Sequence, residues 1–193
     1  MAAASASMLC IVIVICSLLS TPSTANHEVD ALIDVKKMIL EDPSNALQTW
    51  NPSSPNPCKW KYVFCDAHGH VYTVHLALKN LSGALSPRIG DLQNLYQLDL
   101  TQNSLFGILP STLGNLKNLV VLHLGHNQFS KGIPQSLGQL SRLKFLSLEF
   151  NKLSGRVPTV GKLSEFGYKS FQGNPELCGD VVKKECPRRS LIP

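Results

Sequence analysis

Beyond residue 19 the chain has no apolar run long enough to span a bilayer, and it ends in Leu191-Ile192-Pro193 rather than in the hydrophobic tail that precedes a lipid anchor. No CxxC pair is present, so the spacing that zinc sites favour is missing. No serine lies in a nucleophile elbow, and aspartates and glutamates are not paired as general acid–base chemistry would need. A platform of interleaved basic and aromatic residues is also missing, which argues against nucleic-acid binding. The expectation is a chain with no enzymatic activity, no metal or cofactor, no membrane span and no nucleic-acid partner.

What the chain has instead is a period of 24 residues. Segments 95–110, 119–134 and 143–158 read LYQLDLTQNSLFGILP, LVVLHLGHNQFSKGIP and LKFLSLEFNKLSGRVP. Asn103, Asn127 and Asn151 fall at one phase, and Pro110, Pro134 and Pro158 at another. Recurrence at fixed phase is what a stacked array requires, because each unit buries its apolar face only against its neighbours. The pairs Leu98/Leu100, Leu122/Leu124 and Leu146/Leu148 stand two residues apart and so share one face of a short strand; Val74/Leu76 mark an earlier unit. Each asparagine sits where the chain leaves its strand, and its amide carries both donors and an acceptor, so stacked asparagines predict a hydrogen-bonded ladder. Two units depart. The first has Lys79 at the asparagine phase, as an edge repeat can. The third has Lys131 at the glycine phase with Gly132 one residue later, which reads as a loop shift.

Residues 1–25 read as a signal peptide: the apolar run 8–19 is short, and Ser23-Thr24-Ala25 offers small residues for cleavage before Asn26. Cys10 and Cys16 would leave with it, and four cysteines allow three pairings. Strands about 4.8 Å apart hold the ends of a four-coil stack roughly 15 Å apart or more. A disulfide needs Cα atoms within about 7 Å. The prediction is therefore Cys58–Cys65 and Cys178–Cys186, sealing an N-terminal cap (26–68) and a C-terminal cap (166–187) around repeats at 69–165, about four full units plus a partial one. The first cap should open with an amphipathic helix bearing Val29, Leu32, Ile33 and Leu40 on one stripe and ending at Asp42-Pro43. Trp50 and Trp60 then cover the first coil, and Phe171 the last. Net charge is +5. Lys183, Lys184, Arg188 and Arg189 make the C-terminus basic, and the tail 188–193 is a candidate for adhesion to acidic cell-wall polysaccharide. Asn80-Leu81-Ser82 is a glycosylation sequon.

Between the strand leucines, side chains face outward. One row is His75, Asp99, His123, Ser147; beside it run Thr73, Gln97, Val121, Phe145 on one side and Ala77, Thr101, Gly125, Glu149 on the other, followed by Leu78, Gln102, His126, Phe150. A flat, mixed face of this kind suits a protein or peptide better than an enclosed small molecule. His75, Asp99 and His123 should be neighbours and form a candidate pH-sensitive patch. The candidate contacts are Lys61, Tyr62, His75, Asp99, Thr101, His123, Phe145, Glu149 and Phe150.

The unit LxxLxLxxNxL, with its Gly-x-[Ile/Val/Leu]-Pro return and the following SxLGxL, resembles the plant-type extracellular leucine-rich repeat. Segments 31–50 and 56–65 (ending NPCKWKYVFC), with NPELCG from Asn174, resemble the ectodomains of somatic embryogenesis receptor kinases. That likeness implies an α/β fold: a right-handed leucine-rich repeat solenoid of 24-residue units with disulfide-bonded caps. It also implies a secreted module in the apoplast or cell wall that binds an extracellular protein, a receptor-kinase ectodomain, in signalling, defence or development. Alternatives are an inhibitor of secreted hydrolases or a wall-associated structural protein. Several residues differ from the family pattern. Lys61-Tyr62 stands where the relatives have an aromatic residue and a histidine, Thr101 and Gly125 where they have tyrosines, and Ser147 where they have an arginine, while Phe145 matches an aromatic.

Overall fold

The computed structural model describes residues 24–54 and 56–187. Most of the predicted signal segment and the basic tail 188–193 lie outside the described residues. Each coil runs through three sides. The first carries strands β3 (Val71–His75), β5 (Gln97–Asp99), β7 (Val121–His123) and β9 (Phe145–Ser147), all parallel. The second carries β4 (Ser82–Ala84), β6 (Ser104–Ile108), β8 (Gln128–Lys131) and β10 (Lys152–Arg156), also parallel. The third is a stack of 3₁₀ turns at Pro87–Asp91, Ser111–Asn115, Gln135–Gln139 and Gly161–Glu165. The leucines of the period point inward from all three sides, and Leu92, Leu95, Leu98, Leu116, Leu119, Leu122, Leu140 and Leu143 are fully buried. Burial of each is worth about 1.5–3 kcal/mol. On the third side the coils stack so closely that a Cβ at Gly114 would strike the backbone and side chain of Ser136 in the next coil, which is why the turn motif carries glycine.

The asparagines bridge coils. Asn127 Oδ1 accepts from Leu105 N at 3.0 Å, and its amide donates to Leu100 O at 2.9 Å and Leu124 O at 3.2 Å. Asn103 and Asn151 repeat this pattern one coil either side. A further rung follows at Asn174, which accepts from Leu153 N and donates to Leu148 O and Phe171 O. It lies 23 residues after Asn151, inside NPELCG, a stretch that reads in sequence as turn and cap. Here β11 (Glu176–Cys178) pairs in parallel with β10, so the closing segment continues the stack by another coil.

The N-terminal cap closes the opposite end in two places. Strand β2 (Val63–Cys65) adds antiparallel to β3, and β1 (Ile39–Glu41) adds antiparallel to β4. Helix α1 therefore spans Thr24–Met38 and stops short of Asp42-Pro43. Leu40 does not join the helical stripe: it sits on the edge strand, 71 % exposed. The strand wins because Gly83 lets the chain approach; a Cβ there would collide with the Met38 carbonyl. Asp42 instead caps the following turn, accepting from Ala46 N and Leu47 N at 2.8 Å each. Lys36 Nζ reaches Leu47 O and Trp50 O, both at 2.8 Å, and ties the helix to that turn. Trp50 and Trp60 are buried and stacked with centroids 5.7 Å apart. Cys58 is bonded to Cys65, and Cys178 to Cys186.

The glycine-phase departure resolves differently from its expectation. Lys131 itself adopts φ +66°, beside +85° at Gly107 and +82° at Gly155, and the pairing of β8 with β10 keeps the register of its neighbours. The loop does not shift; the lysine takes the left-handed conformation, at a cost of roughly 1–2 kcal/mol.

Two outcomes are expected. Lys131→Gly relieves that strain against a higher unfolded-state entropy and raises unfolding free energy by roughly 0.5–1 kcal/mol in denaturant titrations; no gain, or a loss, refutes the strain assignment. Glu28 is buried and accepts from Val71 N at 3.0 Å; burial is the larger influence and raises its pKa above the ordinary glutamate value. A raised acid pKa gives stability that is complete below the unfolded value and is lost as pH rises through the folded one. The stability of wild type relative to Glu28→Gln should therefore fall as pH rises above the ordinary glutamate value of about 4.3. A flat or rising difference in melting temperature contradicts this.

Candidate functional site

On the first sheet the residues between the leucines form rows. Phe64 of β2 lies opposite Thr73, and Thr73, Gln97, Val121 and Phe145 follow in register. His75, Asp99, His123 and Ser147 form the parallel row. Phe64 and Phe145 end the first row at opposite sides of the sheet, 56 % and 57 % exposed, with small and polar residues between them. Phe64 is absent from the sequence candidates because the rows are counted from the first repeat. Its signal is local: in Val63-Phe64-Cys65 the alternation turns Phe64 outward, and β2 extends the sheet by one strand.

The predicted contacts fall into two groups. At the N-terminal end, the Tyr62 carbonyl accepts from His75 N at 2.9 Å, and Lys79 Nζ stands 4.3 Å over the Tyr62 ring. Lys79 thus spends its side chain on a cation–π contact at the rim. An asparagine there would have no preceding repeat to bridge. His75 Nδ1 lies 3.2 Å from Asp99 Oδ2, and Asp99 Oδ1 accepts from Thr101 N at 3.1 Å. Asp99 stands in register between His75 and His123, so the three are neighbours as expected, and among the described residues the ion pair within this row is His75–Asp99. Lys61 is exposed and held through its backbone, donating to Thr49 Oγ1 and accepting from Trp50 Nε1. At the C-terminal end, Ser147 Oγ donates to Glu149 Oε1 at 2.9 Å, and the Glu149 carboxylate lies against Gly125, where a Cβ would displace it.

One row carries backbone strain. Leu78, Gln102, His126 and Phe150 all have left-handed backbones, with φ between +52° and +60°, and Gly173 continues the series at +70°. This residue turns each coil off the sheet and projects its side chain at the rim. The His126 and Phe150 rings stack with centroids 4.6 Å apart, and Phe150 lies against Gly173, which has no Cβ to obstruct it. Leu78 is 66 % exposed. Four bulky side chains held in an unfavourable conformation at one rim form a preorganised, partly apolar edge. The face offers contact area, hydrogen bonds and aromatic anchors to a surface laid against it.

The leucine rich repeat N-terminal domain family matches residues 25–66, and the leucine rich repeat family matches residues 93–153. The chain is similar to leucine-rich repeat protein 2 of Arabidopsis thaliana, 43 % identical over 75 residues, covering 39 % of this chain and 34 % of that protein. It is also similar to the LRR receptor kinase SERK2 of Oryza sativa subsp. japonica, 40 % identical over 84 residues, covering 44 % of this chain and 14 % of that protein. The match thus spans about a third or less of these relatives' own length. Among solved structures, the BIR3–SERK2 complex from Arabidopsis thaliana matches 82 % of this chain and 98 % of the matched chain, at 29 % identity and a TM-score of 0.59. No helix among the described residues is long and apolar enough to cross a membrane. The repeat, its N-terminal cap and the solenoid agree: the chain carries a leucine rich repeat N-terminal domain and leucine rich repeats, and its fold is similar to that of plant leucine-rich repeat receptor ectodomains.

Proposed function

We propose that this chain is a secreted module that binds the leucine-rich repeat ectodomain of a receptor kinase, and that it does so through the first sheet and its left-handed rim. The observation that carries this reading is the pair of exposed phenylalanines, Phe64 and Phe145, ending one row across a floor of Thr73, Gln97 and Val121. Interfaces concentrate their energy in such aromatic anchors, with small and polar residues between them supplying complementarity. The similar BIR3–SERK2 structure supports the class of partner, since in it BIR3 and SERK2 are held together in one complex. The two disulfides suit the oxidising extracellular space, the apoplast in a plant. In that compartment the module acts as an accessory subunit or as a soluble competitor of a membrane-bound co-receptor.

The differences at Lys61, Tyr62, Thr101, Gly125 and Ser147 change the partner rather than abolish binding, because specificity turns on a few contacts. Asn80 is exposed, just past β3 and beside the buried Leu81, so a glycan there extends into solvent without disturbing the core.

Wild type should capture at least one member of a panel of immobilised receptor-kinase ectodomains. The triple variant Tyr62→Ala, Asp99→Asn, Phe145→Ala should weaken that capture by roughly 30-fold or more, since anchors of this kind are each worth about 2 kcal/mol. Unchanged affinity for every captured ectodomain removes these residues from the site. Protein from a plant secretory host should lose mass on enzymatic N-glycan release, and Asn80→Gln should remove that loss; an unmodified wild-type mass refutes glycosylation at Asn80.

A further inference from the structure

A second surface lies at the edge of the same strands, at a phase the receptor-binding reading does not use. Tyr72, Tyr96, Val120 and Lys144 each stand 24 residues apart, and backbone bonds join them in order: Tyr96 N to Tyr72 O and Val120 N to Tyr96 O at 2.8 Å, and Lys144 N to Val120 O at 2.9 Å. Their backbones form a ladder, a track of about 15 Å along the stack in three steps of roughly 4.8 Å, with Tyr72 and Lys144 exposed, Tyr96 half-buried and Val120 buried between them. The Tyr72 and Tyr96 rings stack with centroids 4.7 Å apart and planes at 14°. At the Lys144 end the track enters a shallow cavity of about 250 Å³ lined by Tyr96, Val120, Ser141, Arg142, Lys144 and Lys162.

The charges of this cavity are one-sided: three cations and no carboxylate line it. Lys162 pairs with Glu165, three residues on. Arg142 Nη1 donates to the neutral Asn118 Oδ1 at 2.8 Å, and neither Arg142 nor Lys144 makes an ion pair among the described residues. A planar guanidinium beside an exposed ammonium is matched to carboxylate oxygens, which take charge-assisted bonds from both. The track leads out of the cavity toward the stacked rings of Tyr96 and Tyr72.

We infer that this edge binds an acidic polysaccharide, a chain of carboxylated sugars. Its uronate groups pair with Arg142, Lys144 and Lys162, and its sugar rings lie along Tyr96 and Tyr72, past the buried Val120. A repeating polymer fits a repeating track; an acidic protein loop presents carboxylates but no series of rings for the tyrosines. The site is separate from the rows of His75 and Phe145 and from the basic tail, so one coil stack can hold a glycan on one phase and a protein on the next.

The test uses the full chain and polygalacturonate, its fully methyl-esterified form and poly-glutamate as probes, with Kd measured at low and moderate salt. Wild type should bind polygalacturonate more weakly as salt screens the contact. Methyl esterification, or the double variant Arg142→Ala, Lys144→Ala, should each cost about tenfold or more in Kd. Lys144→Arg should keep the affinity, and deletion of residues 188–193 should leave it within about threefold. Arg142 and Lys144 are exposed, so the double variant should keep the wild-type melting temperature and receptor capture, which separates loss of this site from loss of fold. Any of four results overturns the inference: no binding by wild type, equal binding by the double variant, binding lost only with the tail, or poly-glutamate bound as tightly as polygalacturonate.

Discussion

Each coil leaves backbone groups without partners where it turns off the first sheet, and the next coil's asparagine takes them up. A buried N–H or C=O without a partner costs about 1–3 kcal/mol, and every coil makes at least two. The Asn127 side chain meets a donor from one coil and carbonyls from two. Few other side chains could: an ionised aspartate has no donor, a leucine has neither group, and glutamine carries its amide one methylene further from the backbone. Because the rung spans coils, it fixes their stagger as well as their spacing. The leucines can then interdigitate at one phase and exclude water, and the glycine of the third side can sit against the serine of the next coil. The hydrophobic energy is larger in sum, but it depends on the register that the amides set.

That dependence explains which features are visible in the chain itself. Strands, turns, outward rows and ladder positions all follow from one repeated phase, so they are legible. The pattern fails where the phase slips or a different element takes over. Asn174 is a full rung, but it comes one residue early and inside a stretch rich in turn residues. Leu40 continues the apolar pattern of α1 by spacing, yet tertiary pairing with β4 draws its segment into a strand. Lys131 reads as a shift because lysine resists a left-handed backbone; the register of the sheet on both sides is strong enough to impose it. Phe64 lies on a strand of the cap, outside the period altogether. In the site, the neighbourhood of His75, Asp99 and His123 follows from strand register, whereas the repeat pattern does not specify which of the three side chains meet.

The two ends solve the same problem by unlike means. At the C-terminal end the stack runs on into another rung and strand before the Cys178–Cys186 bond closes it. At the N-terminal end no rung precedes the first coil. There the partners come from elsewhere: Glu28 accepts from the first residue of β3, antiparallel strands cover both sheet edges, and Trp50 with Trp60 covers the leucines. Antiparallel covering strands make sense because a further parallel coil would expose the same apolar end again. Lys79 fits this logic. With nothing behind it to bridge, the asparagine phase is released from its structural duty, and the side chain turns to the Tyr62 ring at the rim of the binding face.

The same separation of duties holds along the whole stack. Phases that point inward are occupied by leucine and asparagine because each is answerable to two neighbours. Phases that point outward meet only neighbouring side chains, as Gly125 meets Glu149 and Tyr72 meets Tyr96, so a change there alters the surface more than the coil beneath. Adjacent phases can therefore carry unrelated chemistry a few ångströms apart: Phe145 ends an aromatic-anchored row on the face, while Lys144, one residue earlier, belongs to a cationic cavity at the edge. The left-handed rim is the exception, since its residues bear both backbone strain and exposed side chains. Gly173 relaxes that strain at the last coil, and the Phe150 ring occupies the space its missing side chain leaves. Binding at this rim is thus coupled to the backbone, whereas binding at the face and edge is set by side chains alone, and the two should respond differently to substitution.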